Sequence, residues 1–267
     1  MSEVIGFTTQ IKISGAATAT VGEATTSIAG DLIYQITDTA KRVLDRTGII
    51  KVQLQGANDA AEAATSATTI VMTTHGLVVG DLIINTTRAN AVRLVLTRPD
   101  ADSITVDSVT DQADGDTIET YKTELVTAYT LNRLNGKVTY ATAVSRVIKI
   151  TGDYLPMTVA AYANQMSKSE VADMLDVTAF GNTHKKRFAG LKSASGSLTQ
   201  FHTSDTTFAA ALTAGVPVVI EDRTAAAAEP NRYWALLESA EVAAAVEGVI
   251  TESVSWVSYD AWIKLGV

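Results

Sequence analysis

The chain contains no cysteine and only 4 prolines and 3 histidines among 267 residues. Without cysteine there is no disulfide framework, no thiolate zinc site and no thiol nucleophile. The histidines His75, His184 and His202 include no i, i+4 pair of the kind a helical metal site uses, so a structural or surface role outweighs ligation for each. Aromatic residues make up 6% of the chain, which is thin for a cleft that stacks sugars. No apolar run approaches the roughly 18–20 residues of a membrane helix. The opening MSEVIGFTTQIKISG has neither the basic start nor the apolar run of a secretory signal, so export by that route is not expected. Basic residues are outnumbered 21 to 29, for a net charge of -8 and a pI near 4.9. A surface of that sign repels phosphate instead of gripping it, and lets DNA slide past.

Catalytic signatures are missing as well. There is no G-x-S-x-G elbow, no G-x-G-x-x-G turn and no Walker A loop. The acidic run 111–119 fails the calcium-loop pattern, because with Gly115 in the sixth position Thr110 and Gln112 fall where carboxylates are wanted. A hairpin turn at Asp114 and Gly115 explains the same letters. Neither a cofactor nor a metal is expected, and the chain does not read as an enzyme.

What is there is alternation. Hydrophobic residues form 46% of the chain, and period-2 patterns rich in Thr, Val, Ile and Tyr define a mostly-β protein. Strands are expected over 10–13, 32–37, 51–55, 68–73, 82–86, 93–97, 103–108, 124–134, 137–143, 147–151, 193–201, 216–221, 233–241 and 248–259. Asn135 and Gly136 sit between two alternating runs and accept positive φ, which predicts a tight hairpin. One short helix is expected, capped by Ser204 or Asp205, with Phe208, Ala209, Ala211 and Leu212 on one face and Gly215 ending it. Residues 39–45 read equally as a helical turn or a loop.

The length exceeds the usual single-domain size of about 100–150 residues, so one large β domain or a domain carrying an insertion is expected. Composition shifts near Gly56 to an Ala-rich polar stretch, followed by a compact alternating module that resembles a small β-barrel. The expected division is a main domain over 1–55 and 123–267 with an inserted β domain over 56–122. A two-domain chain with its boundary near Tyr121 is the alternative, since no Gly/Ser linker marks either edge. Residues 225–231 read as a surface loop.

The basic cluster Lys185, Lys186 and Arg187 falls in residues 173–191, read as a long loop leading into a strand. It is too short for a nucleic-acid patch. It is either a solvated tip or a contact with acidic surface on a neighbouring copy. Beyond it, Ser193, Ser195, Ser197 and Thr199 share one strand face, as do Thr251, Ser253 and Ser255, opposite Glu252, Val254 and Trp256. Such hydroxyl faces are poor core and poor catalytic sites, but make a hydrated wall of the kind a lumen or subunit seam uses.

Several motifs occur in an order that resembles the major tail tube proteins of long-tailed bacteriophages. They are Asp176, Val177, Thr178, Phe180 and Gly181; the step Phe188, Gly190 and Leu191, one residue shorter than that family's pattern; and a Glu247 to Ile250 turn into the last strand. Residues 34–53, the hairpin around Asn135 and the strand ending at Pro156 are also similar. The likeness covers 10–55 and 123–259 loosely, and residues 75–81 look like an accessory β module of phage structural proteins.

That resemblance implies an antiparallel β-sandwich, flanked by one helix, that builds stacked hexameric rings. The expected partners are other copies of the chain, the tape-measure protein and DNA in the lumen, and the tail terminator and distal tail proteins. The expected location is the virion tail, after synthesis in the host cytoplasm. Asn135, Gly136, Lys185, Lys186 and Arg187 are candidate inter-subunit contacts, and the inserted module is expected on the outer surface. Two alternatives stand: a head decoration or head-tail connector protein, and a carbohydrate-binding or hydrolytic β-sandwich, which needs exposed Trp or Tyr beside carboxylates. Trp234, Trp256 and Trp262 lie in C-terminal strands, where core packing is expected.

Overall fold

The computed structural model describes residues 10–62, 68–73, 75–108, 113–160, 163–177, 184–201, 207–223, 230–243 and 250–263. In chain order the strands are β1 (Gln10–Ser14), β2 (Thr18–Ala29), β3 (Ile33–Ile36), β4 (Lys51–Gln55), β5 (Asp59–Ala60), β6 (Thr69–Val71) and β7 (Leu82–Asn85). Then follow β8 (Ala89–Thr97), β9 (Ser103–Val106), β10 (Thr117–Thr123), β11 (Tyr129–Asn132), β12 (Lys137–Tyr140) and β13 (Ile148–Tyr154). The last are β14 (Met157–Val159), β15 (Ala163–Asp176), β16 (Arg187–Phe201), β17 (Val218–Arg223), β18 (Asn231–Ala243) and β19 (Thr251–Ile263), with helix α1 (Thr207–Ala214) between β16 and β17. Every strand pairing is antiparallel among the described residues. The mostly-β reading therefore holds.

The chain divides into two compact units: unit 1 is Met1–Gly15 with Met157–Val267, and unit 2 is Ala16–Pro156. Unit 1 is one seven-stranded sheet in the order β14-β1-β17-β18-β19-β16-β15. The sheet curls so that its β15 edge comes back over β17. Lys168 on β15 reaches Asp222 on β17 at 2.7 Å, although three strands lie between them in the sheet order. The enclosed core holds Ile11, Leu198, Ile220, Tyr233, Val254 and Trp256, and is closed by Phe208 of α1. α1 is a short helix of eight residues, as expected, but Ala209 faces out instead of joining the apolar face. Gly215 ends it at φ 62 with an N–H bond to Ala211 O. The expected caps Ser204 and Asp205 lie outside the described residues.

One glycine holds this sheet close. Gly196 pairs with Trp256, and a Cβ there would lie 2.4 Å from Ser167 O and 2.7 Å from the Trp256 ring. The indole packs where any side chain would stand.

Unit 2 is a twelve-stranded sheet in the order β11-β12-β3-β2-β13-β4-β10-β7-β8-β9-β6, with β5 on β10. One core gathers Tyr34, Ile36, Leu44, Val52, Val138 and Ile150; another draws only on residues 61–118, including Ile70, Met72, Ile83 and Ile104. The span 56–122 thus lies wholly within unit 2 and has its own apolar cluster, while β4 and β10 pair across its boundary. The small barrel expected there is not closed. Its strand path is open, and a bond from Glu62 N–H to Val71 O bridges the stretch after β5 to β6.

Local corrections have local causes. β11 is only Tyr129–Asn132, and its hairpin to β12 closes over four residues where a two-residue turn was expected. Asn132 Oδ1 accepts from Leu134 N–H, Asn135 Oδ1 accepts from Lys137 N–H, and Gly136 takes φ 61, so side chains stabilise the wider loop. Residues 39–41 form a 3₁₀ turn capped by Asp38, which settles the open reading of that segment. The turn at Asp114 and Gly115 is present, with Asp116 N–H on Ala113 O, but it leads into β10 without joining paired strands.

Three measurements check this description. Replacing 16–156 by a short Asn-Gly turn should leave unit 1 folded, because Ser14 and Met157 are already cross-strand partners; circular dichroism and a cooperative melt report it, and an unfolded product contradicts it. Gly196→Ala should destabilise unit 1 by about 1–3 kcal/mol in urea unfolding. His75 is buried, its Nδ1 accepts from Leu77 N–H, and burial with the nearby Arg98 charge lowers its pKa from 6.5. The unfolded chain then binds the proton more readily, so stability is full above about pH 6.5 and declines as pH falls toward the folded pKa. His75→Gln should flatten that decline in melts across pH 5–7.

Candidate assembly surface

Residues 173–191 are not a loop at their ends. β15 and β16 pair through Met174–Ala189, Leu175–Phe188 and Asp176–Arg187, and Val177 N–H on Lys186 O extends the ladder. Neither strand end shows a one-faced apolar pattern, which is why alternation did not reveal them. Thr178, Phe180 and Gly181 lie outside the described residues, as do His202 and 247–249.

The ladder outruns its support. β16 pairs with β19 only from Ser195–Val257 to Phe201–Thr251, whereas β15 and β16 continue together to Asp176–Arg187. Residues 171–176 and 187–193 therefore form a two-stranded arm. Its side chains include Met174 at 63% exposed, Leu175 at 58%, Phe188 at 65% and Leu191 at 83%, with Val171 and Val177 also exposed. Lys185, Lys186 and Arg187 are exposed at its basic end. Gly190 lies against Asp173, where the register shifts between Ala172 and Met174.

At the root of the arm, β16 and β19 diverge and leave an open pocket of about 650 Å³ lined by Leu191, Lys192, Tyr259, Asp260 and Trp262. A neighbouring pocket of about 460 Å³ shares Lys192 and Trp262 and adds Glu170. The Trp262 ring stacks on Tyr233 with centroids 6.4 Å apart. Trp234 and Trp256 are buried as expected, while Trp262 forms a pocket wall, a role alternation could not separate from core. The three-residue bulge at 259–261 opposite Trp234 is what turns Tyr259 and Asp260 out of the ladder.

The polar side of the sheet is orderly. The register places Ser167, Ser197, Ser255 and Ser239 in one row across four strands, with Ser167–Ser197 at 2.9 Å and Ser239–Ser255 at 2.8 Å. The opposite face buries Glu252 against Gln200 at 2.8 Å. Lys12, Glu221 and Arg232 form a second row, and the buried Glu221 carboxylate meets Arg232 at 2.8 Å and Lys12 at 3.4 Å. Burial works against the Lys168 ammonium, but its bonds to Asp222 and Tyr233 outweigh that and raise its pKa. These pairs fix strands in place and offer no reacting geometry.

Asn135 and Gly136, in unit 2, are used inside their own unit. Both are buried, Asn135 O accepts from Gln35 Nε2 at 2.9 Å, and a Cβ on Gly136 would lie 2.9 Å from Arg42 O.

Fold and surface together define an antiparallel β protein with an uncovered arm. No family model matches the chain, and no curated protein matches it. Among solved structures, it is similar to a chain in the tail of an empty gene transfer agent (GTA) particle with C6 symmetry, at TM-score 0.37 and 16% identity over 40% of this chain and 85% of that one. A chain in the virion of a native GTA particle is similar at TM-score 0.35 and 17% identity, over 40% and 86%. Likeness of this size leaves function to be argued from the chain's own geometry.

Proposed function

We propose that the chain is a structural subunit of a phage-type tail, specifically a tail tube protein whose copies assemble without catalysis into stacked hexameric rings around a passage for DNA. The arm carries the reading. An isolated two-stranded ribbon is marginal in water, yet this one exposes Val171, Met174, Leu175, Val177, Phe188 and Leu191. Burying each is worth about 1.5–3 kcal/mol, so together they match the roughly 4–15 kcal/mol cost of association. A repeated copy of the same chain is the cover that self-assembly supplies.

Three further observations support the reading. In the sequence, the tail-tube-like motifs at 176–181, 188–191 and 247–250 fall in the second segment of unit 1, and those at 34–53, around Asn135 and up to Pro156 fall in unit 2. The net charge of -8 suits a conduit that phosphate must cross without sticking. The serine row offers a hydrated, uncharged wall for the lumen, where the tape-measure protein and DNA would pass. The tail terminator and distal tail proteins would meet the ends of the tube, and residues 56–122 would sit on its outer surface. The virion tail is then the working location, with synthesis in the host cytoplasm.

Negative-stain images and sedimentation of concentrated protein test this. Rings or tubes are expected from the wild type, and a Met174→Ser, Leu175→Ser, Phe188→Ser variant should remain monomeric with an unchanged circular dichroism spectrum. A wild type that stays monomeric at high concentration contradicts the proposal.

A further inference from the structure

We infer that the basic end of the arm, from Lys185 to Phe188, docks in the Trp262 pocket of a second copy. This deepens the assembly reading above and rests on it. The two surfaces match in chemistry. The pocket joins the indole of Trp262 and the ring of Tyr259 to the carboxylate of Asp260, and the neighbouring pocket across Trp262 adds Glu170, which accepts from Tyr233 O–H at 3.3 Å. The arm's end joins the exposed Phe188 ring to Lys185, Lys186 and Arg187. An aromatic anchor beside cations meets an aromatic wall beside carboxylates, the pairing that gives an interface both a hot spot and a register. A pocket of about 650 Å³ is open enough to admit the ring.

The ladder favours an occupant from another copy. Phe188 lies two residues and Lys186 four beyond Gly190, the first lining residue on the strand, about 7 and 13 Å at the usual rise, and Phe188 is held extended opposite Leu175. The ladder from Val171–Ser193 to Asp176–Arg187 keeps the arm's end pointing away from its own pocket. Donor and acceptor are different patches of one chain, so the contact is head-to-tail. Repeating it closes a ring or extends a filament, where a two-fold contact would stop at a dimer.

Lys192 also lines the pocket and opposes an incoming cation. The docking therefore depends on Asp260 and Glu170 together.

Charge exchange tests the pairing in the full chain. Lys185→Glu with Lys186→Glu should lower the assembled fraction at least tenfold by sedimentation, as should Glu170→Lys with Asp260→Lys. Mixing the two variants in equal amounts should restore assembly, because every arm-to-pocket contact between unlike variants pairs opposite signs while like variants repel, and the chain carrying all four changes should restore it more fully. Circular dichroism and melts confirm that every variant is folded. If the wild type assembles and folded single-side variants assemble equally well, the docking is wrong while the assembly reading survives. If the four-fold variant is folded and monomeric, the docking is also overturned. A wild type that never assembles overturns both.

Discussion

A ladder that extends past its sheet leaves its backbone paired on one side only and its side chains wet on both faces. In unit 1 this happens where β16 leaves β19 at Ser195–Val257 while β15 stays with it to Asp176–Arg187. The exposed aliphatic and aromatic residues of the arm follow from that divergence, and the pocket at its root follows from it together with the β18–β19 bulge that turns Tyr259 and Asp260 outward. Gly196 sits just inside the fork. Its lack of a side chain lets Trp256 pack across the β16–β19 pair and makes the last supported position a firm one.

Most of the buried sheet was legible in the sequence because burial imposes a period. β4 matches its expected span, and β12, β16, β17, β18 and β19 were found with errors at the ends. β2 and β15 were missed for a physical reason. β15 is an edge strand with little core to face, so ANQMSKSEVADMLD carries no apolar stripe. In β2, Gly22 interrupts a run of Ala and Thr, and apart from the buried Thr20 and Gly22 the strand is mostly exposed. The same lack of period made the arm read as a loop. The hydroxyl faces were legible because alternation fixes them wherever a strand is found. The pocket was not, since it depends on where two ladders part and on a bulge that no local pattern announces.

The two units solve different problems. Unit 2 satisfies its polar turns internally, as Asn135, Gly136 and the buried Asp81 show; Asp81 accepts from Val78 N–H and Thr123 N–H, both at 2.9 Å. Unit 1 anchors β1 through the half-buried Lys12 on the buried Glu221–Arg232 pair, and exposes Met174, Leu175, Phe188 and Leu191 on the arm. Breaking a buried ion pair costs about 3–5 kcal/mol, so this pair secures the sheet from which the arm projects. On the proposed reading, the exposed basic cluster at the end of the apolar arm is where this acidic chain attracts other copies.

The central claim is that the arm is uncovered in the free chain and covered by copies of itself. Hydrogen–deuterium exchange on separated monomeric and assembled protein tests it most directly. Amides of residues 171–176 and 187–193 should exchange quickly in the monomer and slow by at least tenfold on assembly, together with those around Tyr259 and Trp262, while the core of unit 2 is unchanged. Equal exchange of the arm in both states would contradict the account.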